Sequence, residues 1–315
     1  MLKYIAKRLV SAIPVLIIVV FIAFFLMRML PGDVAVMILG KDASPGDLEI
    51  LRETMGLNDS IFVQFLNYVK DIFHGDLGVS LYNSQSVMLN IRNSLEPTIL
   101  IMILSVLISV VIGIPIGVIS AVKRNSVLDY TLMSVSVLGL SIPVFWSSIM
   151  LAFYVGTILK ILPNMYYYPI AEVGLWKSVS YVILPSVALG FQSIASIARY
   201  TRSTMLDVLS TEYVRTARAK GLKERVVLYS HALKNAMSPV ITHVGTNVAS
   251  LMGGACVTET IFSINGMGKL AYDSLIRRDY PQVQAIILVV AIVYIVVNLV
   301  VDILYKVFDP RVSLN

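Results

Sequence analysis

Few residue groups in this chain have both the types and the spacing that chemistry requires. Gly266-Met267-Gly268-Lys269 has the outline of a phosphate-cradling loop. It lacks the upstream glycine at the required spacing, and Leu270 stands where a Ser or Thr hydroxyl must reach magnesium. His74, His231 and His243 are far apart in sequence, no His-Glu-x-x-His occurs, and the single cysteine, Cys256, sits in an apolar run. No disulfide framework or metal site is expected, and no residue is assigned a catalytic, cofactor-binding or metal-binding role. Two polar groupings remain. One is the basic stretch 199–238. The other is His243, Thr246, Asn247 and Ser250, which share one helix face inside an apolar run. Polar side chains in lipid are costly, so these four either bond neighbouring helices or line a polar path, and the pattern alone leaves both open. Glu259 and Asp279 are acids just outside apolar runs. They are expected either to meet a partner protein or a ligand's amino group, or simply to be solvated.

The elements that must position these residues follow from composition. Of 315 residues, 57% are hydrophobic and 14% charged, against about 25% charged in a soluble domain. The solvent of such a chain is lipid. A net charge of +6 would suit nucleic acid, but its distribution suits a membrane protein better, as follows. Six runs are long and apolar enough to cross a bilayer: 9–27, 99–122, 132–159, 179–198, 240–257 and 283–305. The third contains Gly139 and Pro143, which predict a kink or tilt within one helix. The first follows Lys3, Lys7 and Arg8 but is long for a signal sequence and lacks a small-x-small cleavage site, so it reads as a retained span. With the N-terminus inside, the inner segments hold fifteen of the 25 basic residues but only six of the 19 acids. That bias places both termini in the cytoplasm. The expected fold is an all-α membrane protein of six transmembrane helices. It divides into residues 1–30 (N-terminal segment and first span), 31–96 (a small extracytoplasmic cap) and 97–315 (the five-span core). Within the cap, turn signals such as Pro31-Gly32-Asp33 and Ser44-Pro45-Gly46 bound two short helices, 47–55 and 61–73.

Between the fourth and fifth spans, Ser210 or Thr211 can cap a helix with Glu212 in its first turn. Arg218 and Lys220 fall in its last turn, and Gly221 offers a left-handed stop. Leu209, Tyr213 and Ala217 recur at four-residue spacing on one face. A second helical stretch is expected over 224–235. A short basic amphipathic helix of this kind either lies on anionic lipid or enters a groove on a partner.

The run Glu212-Tyr213-Val214-Arg215-Thr216-Ala217-Arg218-Ala219-Lys220-Gly221-Leu222, followed by His231-Ala232-Leu233-Lys234-Asn235-Ala236, resembles the coupling loop of ABC-importer permeases. Within them it is similar to the dipeptide/oligopeptide/nickel branch. The general permease pattern is Glu-Ala-Ala, three residues, Gly, nine residues, Ile-x-Leu-Pro. Aligned on Gly221, this chain keeps Ala217 and Leu233 and places Arg215 and Thr216 at the first Glu and Ala, substitutions that match the branch. The likeness continues through Gly75-Asp76-Leu77-Gly78-x-Ser80, Pro97-Thr98, Glu259-Thr260-Ile261-Phe262, Gly266-x-Gly268 and Asp279-Tyr280-Pro281. Ser60 and Asn265 stand where that branch commonly has proline. The resemblance implies a non-enzymatic subunit that imports di- or oligopeptides, with nickel, glutathione or a metal chelate as alternative cargo. It implies a second homologous permease subunit, two ABC ATPases that bind ATP and magnesium, and an extracytoplasmic substrate-binding protein. Membrane lipid is its solvent, and no nucleic acid is a partner. The ATPase-coupling residues it implies are Glu212, Tyr213, Arg215, Thr216, Ala217, Lys220 and Gly221. An ion-coupled secondary transporter is the rival of another class, but that reading wants acids at mid-membrane, which this chain almost lacks.

Overall fold

The structure, a computed structural model, describes residues 2–29, 33–40 and 42–308. Pro31 and Gly32 of the expected turn, and Asp309 and Arg311 of the C-terminal segment, lie outside the described residues. The elements are α1 (Leu2–Met29), α2 (Val34–Leu39), α3 (Pro45–Thr54), α4 (Ile61–Phe73), α5 (Val87–Val122), α6 (Val127–Ser141) and α7 (Val144–Leu151), which continues as a π-helical segment, Ala152–Ile158. Then come α8 (Ile170–Val173), α9 (Leu175–Leu209), α10 (Glu212–Ala219), α11 (Glu224–Val226) with a second π-helical segment Val227–Leu233, α12 (Lys234–Ile261), α13 (Met267–Ile276) and α14 (Tyr280–Phe308). Among the described residues no strand forms; Val79 and Ser86 make an isolated antiparallel bridge.

Among the described residues, four helices are long and apolar enough to cross a membrane: Ile5–Met29, Val87–Val122, Leu175–Leu209 and Tyr280–Ile303. Two bent pairs raise the number to as many as six. Val127–Ser141 meets Val144–Ile158 at 98°, and Glu224–Val248 meets Ser250–Ile261 at 44°. The first of these corrects the sequence expectation of a single kinked helix over 132–159. Pro143 cannot donate a backbone hydrogen bond, and it forces the residue before it out of the helical region. Ile142 accordingly adopts φ −78°, ψ 120°, and Pro143 begins a separate helix. The helices also overrun the apolar runs. α9 continues to Leu209 through Arg199, Arg202 and Asp207, because a hydropathy window ends where charge begins and a helix need not.

The chain divides into two compact units, each described here on its own. The first comprises Met1–Leu95 with Leu270–Ile295. Its aromatic centre is Phe24, 1% exposed, whose ring lies 5.3 Å from Phe65 and 5.6 Å from Tyr68 of α4. The two expected cap helices form nearly as drawn, each started by a serine. Ser44 Oγ accepts the Asp47 amide at 3.2 Å, and Ser60 Oγ accepts that of Val63 at 3.4 Å. Ser60 thus starts α4 by side-chain capping rather than by the fixed φ of a proline. Two motifs about 200 residues apart in sequence close on each other in this unit. Asp279 is 3% exposed and takes the Ser80 hydroxyl and the Leu81 amide (3.1 Å).

The second unit comprises Glu96–Lys269 with Val296–Asn315. Its spine is a seam of small residues on α5, at four-residue spacing, against α9. Ser105 and Ser109 hydroxyls reach the Ser186 and Gly190 carbonyls at 3.0 and 3.1 Å. One and two turns on, a Cβ at Gly113 would lie 2.9 Å from the Ile194 carbonyl, and one at Gly117 2.5 Å from that of Ala198. Close backbone approach of this kind is how helices associate where no water drives them together. Beyond the seam, Asp129 of α6, 1% exposed, receives Arg202 of α9 through two hydrogen bonds of 2.7 Å and also the Ser120 hydroxyl. A bidentate ion pair thus joins α6 to α9, and the Ser120 hydroxyl ties α5 to the same carboxylate.

Candidate functional site

The basic loop between α9 and α12 is built around three small apolar side chains. Val214 and Ala217 of α10 are buried against Val227 of the π-helical segment, with Val208 and Leu209 beside them. An adjoining cluster, Val118, Ala121, Met205, Ala232 and Ala236, joins the ends of α5 and α9 to the start of α12. α10 is therefore seated on the ends of the long helices, not tethered beside them. Its boundaries fall where turn chemistry put them. Thr211 occupies the cap position, although its hydroxyl bonds the Val208 carbonyl (2.6 Å) instead of a helix amide. Glu212 opens the helix, Arg218 lies in its last turn, and Gly221 takes φ +75°, a conformation that favours glycine.

Of the seven residues assigned to coupling, Glu212, Tyr213, Arg215, Thr216, Lys220 and Gly221 are exposed. Ala217 is not; it faces the loop's own small core. The sequence placed Tyr213 and Ala217 on a common docking face, and that pairing is corrected. Val214, at i−3 from Ala217, is the true inward partner, while Tyr213 is 44% exposed. The outward charges are paired along the surface: Arg215 with Glu212, and Arg218 with Glu224, each at 2.7 Å. Arg218 holds the Glu224 carboxyl below its ordinary pKa through these hydrogen bonds and is itself raised.

In the polar stripe of α12, His243 Nε2 and Ser196 Oγ of α9 are hydrogen-bonded at 2.8 Å. The imidazole stacks on Tyr200 with centroids 4.2 Å apart and planes within 10°. Both residues border a cavity of about 350 Å³ lined also by Leu140, Arg199 and Ser203. A second cavity of about 220 Å³ shares Leu140 and Ser196 with the first and takes in Gln192, Asn247 and Ser250. The structure thus brings three of the four stripe residues to cavity walls. Thr246 is exposed, spends its hydroxyl on the His243 carbonyl (2.8 Å), and lines neither cavity.

Glu259 and Asp279 are the clearest departures from the sequence reading, because neither is solvated. Glu259 is fully buried. Its carboxylate accepts Thr98 Oγ1 at 2.6 Å and the Lys269 amide at 2.8 Å, and Thr98 Oγ1 in turn accepts the Met267 amide at 2.8 Å. The phosphate-loop outline at Gly266–Lys269 is thereby explained. The turn and the start of α13 do hold an acidic group, and that group is the chain's own Glu259 carboxyl. Sequence reasoning also missed the α5 seam and the Asp129–Arg202 pair. A four-residue spacing of Ser and Gly from 105 to 117 was the available signal for the seam.

A helical chain with four to six membrane-length helices and a short, seated, outward-charged helix between two of them is a multi-pass membrane protein. The chain belongs to the family described as the binding-protein-dependent transport system inner membrane component, whose model matches residues 113–314. The model for the N-terminal part of these membrane components matches residues 1–105. The chain is 40% identical to the dipeptide transport system permease protein DppB of Alkalihalophilus pseudofirmus, across 99% of this chain and 100% of that one. It is 39% identical to the glutathione transport system permease protein GsiC of Escherichia coli, across 99% of each. Among solved structures, one of the inward-facing MetNI methionine ABC transporter is similar at a TM-score of 0.58 and 17% identity, covering 70% of this chain and 97% of that chain. That likeness carries the fold.

Proposed function

We propose that this chain is the transmembrane permease subunit of an ATP-driven importer of di- or oligopeptides. The observation that carries the reading is α10. A helix seated by Val214 and Ala217 on the ends of α5, α9 and α12, with Glu212, Tyr213, Arg215 and Thr216 turned outward, is a lever. Two ABC ATPase subunits, which bind ATP and magnesium, take hold of α10 and of its counterpart on a second homologous permease. Their closure tips the long helices between inward- and outward-facing states, since a switch needs an element whose contacts differ between two states. The chain crosses the membrane six times with each bent pair counted as one span, and both termini are cytoplasmic. Residues 31–96 form an extracytoplasmic platform that receives a substrate-binding protein. The His243, Asn247 and Ser250 face borders the cargo path. Full-length similarity to a dipeptide permease supports peptide as cargo.

Gly221→Asp tests the coupling step. A Cβ at Gly221 meets nothing within 4 Å, and aspartate tolerates a left-handed backbone better than most residues. The variant is expected to reach the membrane folded, to lose transport, and to recover little ATPase on co-purification. Normal ATPase recovery would refute the docking role. A protease site inserted at position 45 is expected to be cut from outside the cell only; cutting from the cytoplasmic face alone would overturn the orientation.

A further inference from the structure

Two arginines lie three residues apart on α9 and differ in their surroundings. Arg202 is committed to buried Asp129. Arg199 is exposed and, among the described residues, has no hydrogen bond or ion pair. Its side chain lines the 350 Å³ cavity, with Ser203 one turn further along and no polar partner of its own among the described residues. Opposite stands the His243 ring, fixed in place by Ser196 and Tyr200. Leu140 and the Tyr200 ring supply apolar wall. A cation just past the apolar part of a long helix stays hydrated where it faces a cavity, and there it is open to an anionic ligand. A guanidinium presents its donors in a fork that matches a carboxylate. The cavity volume is within the range of small-molecule sites. Arg199 sits ten residues before the end of α9, on the order of 15 Å from it, so the site is set back from α10.

We propose that Arg199 and Ser203 form a carboxylate-binding subsite on the cargo path, which holds the C-terminal carboxylate of a peptide while the wall of Leu140 and Tyr200 accommodates its last side chain. This rests on the peptide-importer reading and sharpens it. The subsite selects for a free C-terminus and is a waypoint, since the single cation and its exposed rim favour release.

The complete importer, with its ATPases and binding protein, is reconstituted in vesicles and given one dipeptide with a free carboxylate or as its C-terminal amide. The binding protein is saturated with each, so that its own selectivity drops out of the maximal rates. Arg199→Gln is expected to slow the acid about tenfold, the effect of losing one charge-assisted contact, and to leave the amide unchanged. Arg199→Lys restores part of the acid rate. Equal slowing of both peptides, or a defect that tracks the fraction of anionic lipid, would overturn the subsite and make Arg199 a structural or headgroup contact. Unchanged rates for both would overturn it too. Wild-type vesicles that hydrolyse ATP but move neither peptide would overturn the peptide reading itself, and the subsite with it.

Discussion

The two connections that flank α12 solve opposite problems with the same residue types. The one that follows it, from Phe262 to α13, is closed around buried Glu259, whose carboxyl accepts the Thr98 hydroxyl at 2.6 Å and, together with that hydroxyl, takes up two backbone amides at 2.8 Å. The one that precedes it, carrying α10, keeps its acids and arginines on the surface and pairs both acids there with arginine. Desolvation separates the two cases. A carboxylate out of water must be fully hydrogen-bonded, and once it is, it locks the turn that satisfies it. A solvated ion pair contributes little to stability and stays free to exchange partners. The first arrangement is a fastening, whereas the second suits a surface that another protein is to grip.

Substitutions can break this contrast. Glu259→Ala is expected to cost the most stability, about 3 kcal/mol, since it strands buried donors and opens space in the turn. Thermal unfolding in detergent measures it, and a shift no larger than that of a surface control would remove the lock. Gly117→Leu, which drives a side chain into the Ala198 carbonyl, should cost about 1–3 kcal/mol by the same measurement. Glu224→Gln marks the small end, at no more than about 0.5 kcal/mol for so exposed a pair. Its sign is fixed by the lowered Glu224 pKa. The contribution is present above the ordinary glutamate value and is lost as pH falls through the depressed one. Hydrogen exchange across α10 should therefore separate wild type from Glu224→Gln at neutral pH but not in acid. A difference that persists in acid would mean that the pair is not what orders the loop.

How much of this the sequence carried depended on the range of the interaction. Local rules placed α3, α4 and α10 within a residue or two, because caps, charge at helix ends and Gly221 act within one turn. Hydropathy found every long helix but not the ends of α5 and α9, where polar residues continue the helix past the apolar window. The 98° break at Pro143 was visible as a proline and underestimated as a kink. What could not be read was long-range. Glu259 with Thr98, Asp279 with Ser80, and Asp129 with Arg202 join residues 73 to 199 positions apart. A lone acid near the end of an apolar run looks solvated until its partner is known. Ala217 was misread for a related reason: four-residue spacing identified a face but not which of two adjacent stripes, Tyr213 or Val214, turns inward.

The most direct test of the account is cysteine protection at Arg215, with Cys256 replaced by serine so that only one thiol remains. In inside-out vesicles, a membrane-impermeant maleimide should label Arg215→Cys readily when the permease subunits are alone. Labelling should fall sharply when the ATPase subunits assemble, while a cysteine at Ser60 in the same background stays unlabelled throughout. Labelling of position 215 that is the same with and without the ATPases, or that requires right-side-out vesicles, would contradict α10 as the point where the ATPases take hold.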